Sequence, residues 1–136
     1  MVQFYALSVV INVLCGLLLT LEENEKRTGV MSRLKKALDD RGVKFVLGSG
    51  ALVVGVFKIL TPMAGDVPVI GDLLPALAGV AVGGVFLTEF YRSSSDVSTE
   101  TVQKLDNTLL VNKRYIGILA VGSAVVHFLM PGVLIV

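Results

Sequence analysis

Four long apolar segments constrain this chain more than any other feature of its sequence. They cover residues 3–21, 43–61, 73–90 and 115–135. Each has about 18–21 residues, and an α-helix of that length spans roughly 30 Å, the thickness of the hydrocarbon core of a bilayer. Because unpaired backbone groups are costly in lipid, helices are the form in which such segments cross a membrane. The pattern predicts a single domain, 1–136, that is an all-α integral membrane protein with four transmembrane helices.

The overall composition is typical of a membrane protein. Charged residues make up 17% of the chain, against about 25% in an average soluble domain. The formal net charge of +1 gives no basic field of the kind that holds nucleic acid, so no nucleic-acid partner is expected. The N-terminus lacks the basic start of a secretory signal, and we expect the first helix to be retained.

Lysine and arginine are concentrated in two of the three loops. Loop 22–44 carries seven of the 12 basic residues, loop 89–114 carries four, and loop 61–72 carries none. Since cytoplasmic loops carry the excess of Lys and Arg, both basic loops are expected in the cytoplasm and both termini outside. The predicted location is the cytoplasmic membrane of a bacterium or archaeon. The bilayer itself and the anionic lipid headgroups beside the basic loops are the predicted partners.

Each basic loop is expected to contain a short amphipathic helix near the membrane surface. In the first loop, Ser32 is a candidate N-cap for a helix that runs to about Asp40 and is stopped by Gly42. In the second loop, Ser98 begins a helix whose apolar face includes Leu105. Such helices either pack beneath their own bundle or bind headgroups or a partner protein.

The two halves of the chain, about 1–67 and 68–136, resemble each other. Residues 16–20 align with 84–88, and further positions of the second segment recur in the fourth. These pairs are Lys44 with Lys113, Gly48 with Gly117, Ala51 with Ala120, Val56 with Val125, Leu60 with Leu129 and Pro62 with Pro131. A hairpin repeated after two spans keeps its orientation, so the pattern predicts a parallel repeat with a pseudo-twofold axis along the membrane normal. The alternative explanation of the resemblance is that short membrane helices share a similar composition.

Small residues recur four positions apart in the second, third and fourth segments. The pairs are Ala51 and Gly55, Gly79 and Gly83, and Ala120 and Ala124. Helices in lipid associate through close van der Waals contact, which small residues permit. These six are the predicted helix-packing positions, chiefly within the chain. A homo-oligomer or another membrane protein is the further partner that such faces suggest.

Lys58 and His127 are ionisable residues at matched positions near the outer ends of two segments. Each lies four residues before a proline, Pro62 and Pro131 respectively. A charged side chain at mid-bilayer costs about 2.5–3.5 kcal/mol, which makes a functional role one interpretation. The other is that Lys58 extends to the headgroups. Asn12, in the middle of the first segment, is expected to make an interhelical hydrogen bond or to line a solute pathway.

Two aspartates in the outer loop complete the candidate outer-face site. Asp72 suits the N-cap of the third helix, and Asp66 suits a turn. Alternatively, both gather with Lys58 and His127 and bind a cation or a charged solute. Two carboxylates are too few to predict a calcium or magnesium site, and the single cysteine, Cys15, cannot form a disulfide or a cysteine-based metal site within one chain. No metal or cofactor is expected.

The sequence contains no catalytic signature. Walker loop, HExxH, GxSxG and dinucleotide-binding motifs are all missing, so no catalytic residues are predicted and an enzyme is not expected. The favoured function is a non-catalytic membrane subunit or scaffold that acts through helix packing and its basic cytoplasmic loops. The alternative is a small oligomeric channel or transporter for an ion or small charged solute, with the outer-face site around Lys58, His127, Asp66 and Asp72. The lack of buried charges along a complete path favours the first.

Overall fold

The computed structural model describes residues 2–21, 29–60, 73–97 and 99–129, and all regular structure in these ranges is helical. The helices are α1 (Val2–Leu21), α2 (Val30–Leu38), α3 (Arg41–Leu60), α4 (Leu73–Ser94), α5 (Glu100–Leu105) and α6 (Lys113–Leu129), with a π-helical turn, Asp106–Leu110, between the last two. The predicted all-α class is therefore confirmed. The long helices α1, α3, α4 and α6 form a bundle, and α2 and α5 belong to the connections.

Length and composition qualify two to three of the described helical segments as membrane spans. α3 and α4 each meet both criteria alone. The helical stretch Glu100–Leu110 and α6 meet them together, although the chain bends by 56° between them. In α1, Tyr5–Thr20 is a shorter apolar helix. The last residues of the predicted fourth span, 130–135, lie outside the described ranges.

Two antiparallel helix pairs provide most of the packing, α3 with α4 and α1 with α6. In the α1–α6 pair, a Cβ atom added to Gly16 would lie 2.7 Å from the carbonyl oxygen of Gly117. In the α3–α4 pair, a Cβ atom on Gly83 would lie 2.8 Å from the carbonyl oxygen of Gly48. Since real Cβ atoms do not approach an oxygen so closely, glycine permits the direct backbone contact in both pairs.

The six predicted packing residues all lie inside the bundle. Ala51, Ala120 and Ala124 are almost completely buried, and the three glycines are buried as well. A Cβ atom on Gly55 would lie 2.8 Å from the carbonyl oxygen of Ala76, in the α3–α4 contact. These small residues therefore serve contacts within one chain.

The described part of the bundle has polar residues inside and large apolar residues outside. The interior contains Ser8, Asn12, Lys58, Thr88, Ser123 and His127. The exposed residues include Leu7, Val10, Leu14, Leu17, Val46, Val53, Phe57, Leu74, Leu77, Ile118, Leu119 and Val126. Large apolar side chains are thus exposed on all four long helices.

The connections differ from the sequence prediction in where their helices begin. α2 starts at Val30, directly after Gly29, whose φ of 106° lies in the left-handed region that favours glycine. Ser32 consequently lies inside α2 and does not cap it. α5 begins at Glu100 after Thr99, and the predicted starting residue Ser98 lies outside the described residues. Leu105 is the last residue of α5.

Gly42 does not stop a helix, contrary to the prediction. It lies in the first turn of α3, which begins at Arg41. The carboxylate of Asp40 accepts hydrogen bonds from the backbone N–H groups of Gly42 and Val43, at 3.0 and 3.3 Å. Asp40 therefore acts as an N-cap, because it pairs donors that have no partner within the helix. Gly42 lies at a helix start because the carboxylate of Asp40, two residues earlier, supplies the capping oxygen.

Candidate functional site

Lys58 and His127, the two ionisable residues at matched sequence positions, meet inside the bundle. Lys58 lies near the end of α3, and His127 lies near the end of α6. Their side chains are buried, with residue exposures of 8% and 3%. The Lys58 Nζ atom lies 2.8 Å from Nε2 of His127. The contact joins α3 and α6, two helices that otherwise touch each other little.

This contact restricts the protonation state of the pair. An ammonium group has donors and no acceptor, so the imidazole nitrogen that it approaches must carry a lone pair. If both groups were charged, two unit charges at 2.8 Å would repel by about 6 kcal/mol at an effective dielectric constant of 20. The observed geometry therefore corresponds to a pair in which at least one member is neutral.

Tyr5 of α1 joins the pair as a third member. Its hydroxyl group donates a hydrogen bond to the backbone carbonyl of His127. The tyrosine and imidazole ring centroids are 4.4 Å apart, and Lys58 Nζ lies 5.7 Å from the tyrosine ring centroid. The second distance is within the range of cation–π attraction. Tyr5, Lys58 and His127 thus form one cluster, called here the Lys58–His127 site.

Sequence reasoning did not select Tyr5. Its only signal was an aromatic residue with a polar tip at the start of the first apolar segment, which is the common pattern of an interfacial anchor. The hydrogen bond to His127 depends on α1 packing beside α6, and the order of helices around a bundle is not readable from one helix. The matched positions of Lys58 and His127 were readable because each lies four residues before a proline.

Further polar residues lie one to two helical turns deeper than the Lys58–His127 site. Asn12 is 2% exposed, and its Nδ2 donates a hydrogen bond to the Pro75 carbonyl oxygen at 3.0 Å, which links α1 to α4. Ser123, one turn before His127 on α6, is 6% exposed, and its hydroxyl oxygen has no hydrogen-bond partner among the described residues. Ser8 of α1 is also buried. This half of the bundle therefore has a polar interior.

The direction of the Lys58 side chain bears on the two interpretations of this residue. Its ammonium group points to His127 and is buried. A lysine that extends to the headgroups keeps its charged end in water, which is not the arrangement found. The other members of the predicted outer-face site, Asp66 and Asp72, lie outside the described residues.

A second charged cluster occupies the opposite end of the bundle. The Glu89 carboxylate, on α4, lies 3.0 Å from Nζ of Lys44 and 3.4 Å from Nζ of Lys113. The Glu89 side chain is 11% exposed. Lys44 also pairs with Asp39 at 2.8 Å, and this hydrogen bond holds the pKa of Asp39 below its ordinary value. The two lysines that the repeat matched thus share one carboxylate.

An apolar layer separates the two polar ends. Its buried members are Cys15, Leu19, Val82, Val85, Phe86 and Ala120. On α6, Ala120 lies between His127 and Lys113. On α4, Val82 lies between Pro75 and Glu89. The two ends are about 21 Å apart, because Lys44 and Lys58 are fourteen residues apart on one helix. The interior is therefore polar at both ends and closed by packed apolar side chains in the middle.

Metal ligation finds no support in the described ranges, which contain no group of three histidine, cysteine, aspartate or glutamate side chains placed to hold an ion. Cys15 is buried and is not part of a disulfide. The described members of the Lys58–His127 site supply basic nitrogens and a phenol, and the Ser123 hydroxyl lies one turn away. Such groups exchange protons and donate hydrogen bonds.

Comparison with known proteins identifies the family of the chain without indicating an activity. A relative from Treponema pallidum (strain Nichols), described as "Uncharacterized protein", is 27% identical over 129 residues, which cover 95% of this chain and 94% of the relative. No solved structure matches the chain. A protein-family model matches residues 1–127. Because this match covers most of the chain, the protein belongs to that uncharacterised family.

Proposed function

We propose that the protein is integral to the membrane and that all four long helices span the bilayer. The distribution of side chains supports this proposal. Leu14 of α1, Phe57 of α3, Leu77 of α4 and Leu119 of α6 are each exposed on the outer surface, while the ionisable pair is inside. Lipid favours such an exterior, whereas water would penalise it.

The internal repeat is part of the same proposal, and the contacts support it. Under a pseudo-twofold axis, α3 is exchanged with α6 and α4 with α1, so the α3–α4 pair becomes the α6–α1 pair. Both pairs have the backbone contacts made by glycine. Matched residues meet only near such an axis, as Lys58 does with His127. Lys44 and Lys113 likewise meet at Glu89.

The proposed orientation places the Glu89 end in the cytoplasm, with loops 22–44 and 89–114, and the Lys58–His127 site near the outer face. The concentration of lysine and arginine in these loops supports it. A cysteine-reactive reagent that does not cross membranes tests the assignment in a Cys15→Ala background. Ala64→Cys is expected to react from outside and Ser94→Cys is not. The reverse result would contradict the orientation.

For the activity, we propose a small channel or transporter for an ion or small charged solute. The observation that carries this proposal is the buried contact between Lys58 and His127. Ionisable residues inside a membrane bundle are costly, and they commonly mark ion and solute pathways. One sequence argument for a scaffold was the lack of buried charges along a path. A buried ionisable pair and the polar residues Asn12 and Ser123 weaken that argument.

The apolar layer in the middle of the bundle fits a closed conformation of such a protein. Val82 and Phe86 belong to a cluster of packed apolar side chains between the two ends. Apolar constrictions close many channels by excluding water. The proposed transport therefore requires helix movement that widens this layer. Separation of α3 from α6, which have little direct contact, is one such movement.

Flux from proteoliposomes tests the transport proposal. The protein is reconstituted as wild type, Lys58→Ala, His127→Ala and Lys36→Ala, and the release of K⁺, Cl⁻, protons and small metabolites is measured. Lys36 is an exposed lysine of α2 and serves as the matched control. Wild type and Lys36→Ala are expected to show similar flux. Lys58→Ala and His127→Ala are expected to show flux at least tenfold lower. The proposal fails if wild-type vesicles release none of the solutes faster than empty vesicles.

A scaffold role is the second proposal, and the exposed basic residues of α2 favour it. Arg33 and Lys36 are exposed, and α2 lies beside the start of α3. Anionic headgroups attract basic residues near the surface by about 1 kcal/mol each. Retention of a membrane partner by wild type and its loss from an Arg33→Gln, Lys36→Gln variant, with no flux in either, would favour this role.

A further inference from the structure

The contact between Lys58 and His127 excludes the state in which both side chains carry a positive charge. This exclusion bears on what the site binds. An N–H···N hydrogen bond needs a lone pair on one of the two nitrogens. A proton added to that lone pair removes the acceptor and puts a second positive charge at a 2.8 Å contact. The resulting repulsion favours separation of the two side chains.

The helices around this pair differ in the titratable groups that their described residues bring to it. α1 contributes the Tyr5 phenol, whose hydroxyl already donates to the His127 backbone carbonyl. On α4, residues 73–84 contain no titratable side chain. α3 and α6 contribute the pair itself. Asp66 and Asp72 precede α4 in the sequence and lie outside the described residues.

The surrounding contacts determine which helices such a separation would move. Tyr5 and the Gly16–Gly117 contact hold α1 to α6. The close approach of Gly55 to Ala76 holds α3 to α4. α3 and α6 have little other contact with each other. Contacts of α4 with α6 and of α1 with α3 and α4, including the Asn12–Pro75 hydrogen bond, also join the two pairs. A separation of Lys58 from His127 therefore moves the ends of α3 and α6 apart and leaves the α1–α6 and α3–α4 pairs intact.

We propose that the Lys58–His127 site binds a proton as the transported or coupling ion, and that uptake of this proton breaks the contact and moves α3 away from α6. The proton passes from hydronium in the outer aqueous phase to the nitrogen lone pair, and the N–H···N hydrogen bond is lost. The inference rests on the proposed transport function and names its ion.

The Ser123 hydroxyl supplies the next polar position on the inward side. It lies one helical turn from His127 and is 94% buried, since its exposure is 6%. Its oxygen has no hydrogen-bond partner among the described residues. When the pair opens, a hydroxyl in this position can accept a hydrogen bond from the imidazole or from a water that enters. The proton then has a second acceptor between the site and the apolar layer.

The composition of the chain makes the proton-coupled movement directly measurable. The chain has one histidine and one cysteine, so labelled imidazole signals arise from His127 alone, and Cys15→Ala removes the native thiol. Spin labels are then placed on the exposed neighbours of the pair, at Ile59→Cys and Phe128→Cys. In lipid nanodiscs, pH is lowered while nuclear magnetic resonance follows imidazole protonation and electron resonance follows the distance between labels.

The expected result is a shift to longer distances with the same pH midpoint as imidazole protonation. In a Lys58→Met variant, which lacks the second charge, protonation is expected to leave the distance unchanged. Protonation of wild-type His127 without a change in distance would overturn the inference. A pH-sensitive dye inside proteoliposomes gives the second measurement, with a K⁺ diffusion potential as the driving force. His127→Gln is expected to reduce proton uptake at least tenfold, and Lys104→Gln, at an exposed lysine of α5, is not.

The outcomes separate this inference from the transport proposal. Flux of another ion without proton flux would overturn the proton assignment and leave transport standing. The absence of flux for every solute would overturn the transport proposal. Coupled protonation and separation of the labels would in that case still support the proton site.

Discussion

The contact between Gly16 of α1 and Gly117 of α6 leaves no room for a side chain. A Cβ atom on Gly117 would lie 2.7 Å from the Gly16 carbonyl oxygen and 2.9 Å from both Leu19 Cβ and Thr20 Oγ1. Three close neighbours on one helix cannot all be relieved by a rotamer change, because two of the three atoms are backbone or Cβ. We expect Gly117→Ala to push α1 away from α6.

The magnitude follows from two opposing terms. Overpacking of a close contact typically costs about 1–3 kcal/mol. Replacement of glycine by alanine in a helix gains about 1 kcal/mol from helix propensity. Gly122→Ala, on the same helix, has the propensity gain alone, because a Cβ there meets nothing within 4 Å. The difference in the free energy of unfolding between these two variants is therefore expected to be about 1–3 kcal/mol.

Unfolding in mixed micelles, with the fraction of denaturing detergent increased stepwise and helicity followed by circular dichroism, measures this difference. Gly117→Ala is expected to unfold at a lower detergent fraction than Gly122→Ala. Proton or solute flux is not needed for the test, so it depends on the packing alone. Equal stability of the two variants, or a more stable Gly117→Ala, would refute the assignment of this close contact.

Three further predictions concern the two polar ends and the layer between them. Tyr5→Phe is expected to lower the free energy of unfolding by about 0.6 kcal/mol, and at most about 1.7, because it removes one interhelical hydrogen bond; the same detergent titration measures it, and an unchanged midpoint would contradict the bond to His127. Val82→Ser is expected to raise flux, since a hydroxyl group admits water into the apolar layer; flux at or below the wild-type level in a folded variant would contradict the closed layer. The pKa of Asp39 is lowered in the fold by its hydrogen bond to Lys44, so this interaction stabilises the protein above the ordinary value of 3.8 and is lost as the pH falls through the lowered value. A carboxyl-carbon titration should show a higher Asp39 pKa in a Lys44→Met variant, and an identical titration would argue against that hydrogen bond.

The sequence predicted the helical class and the position of the matched ionisable residues because both depend on patterns along the chain. Segment length and hydrophobicity gave the helices. The common distance from a following proline put Lys58 and His127 in register. Their contact required more, namely that α3 and α6 lie diagonally in the bundle, where long side chains can bridge the remaining space. No periodicity in a single helix specifies that placement.

The residues that sequence reasoning missed depend on neighbours from other parts of the chain. Tyr5 became part of the site through the carbonyl group of a residue on another helix. Gly16 entered the sequence argument only as part of the repeat, and its partner Gly117 is recognisable only when α1 and α6 are adjacent. Asp40 was predicted as a helix end and instead caps the following helix. In each case the decisive group is a backbone atom, which every residue has and no composition reveals.

The helix pairs that pack most closely do not coincide with the two halves of the sequence. α1 belongs to the first half and packs on α6 of the second, and α3 of the first half packs on α4 of the second. Each long helix of one hairpin therefore packs mainly on a helix of the other hairpin. If the halves arose by duplication, the ancestral hairpin was a homodimer, and joining the copies made an intermolecular interface into an intramolecular core.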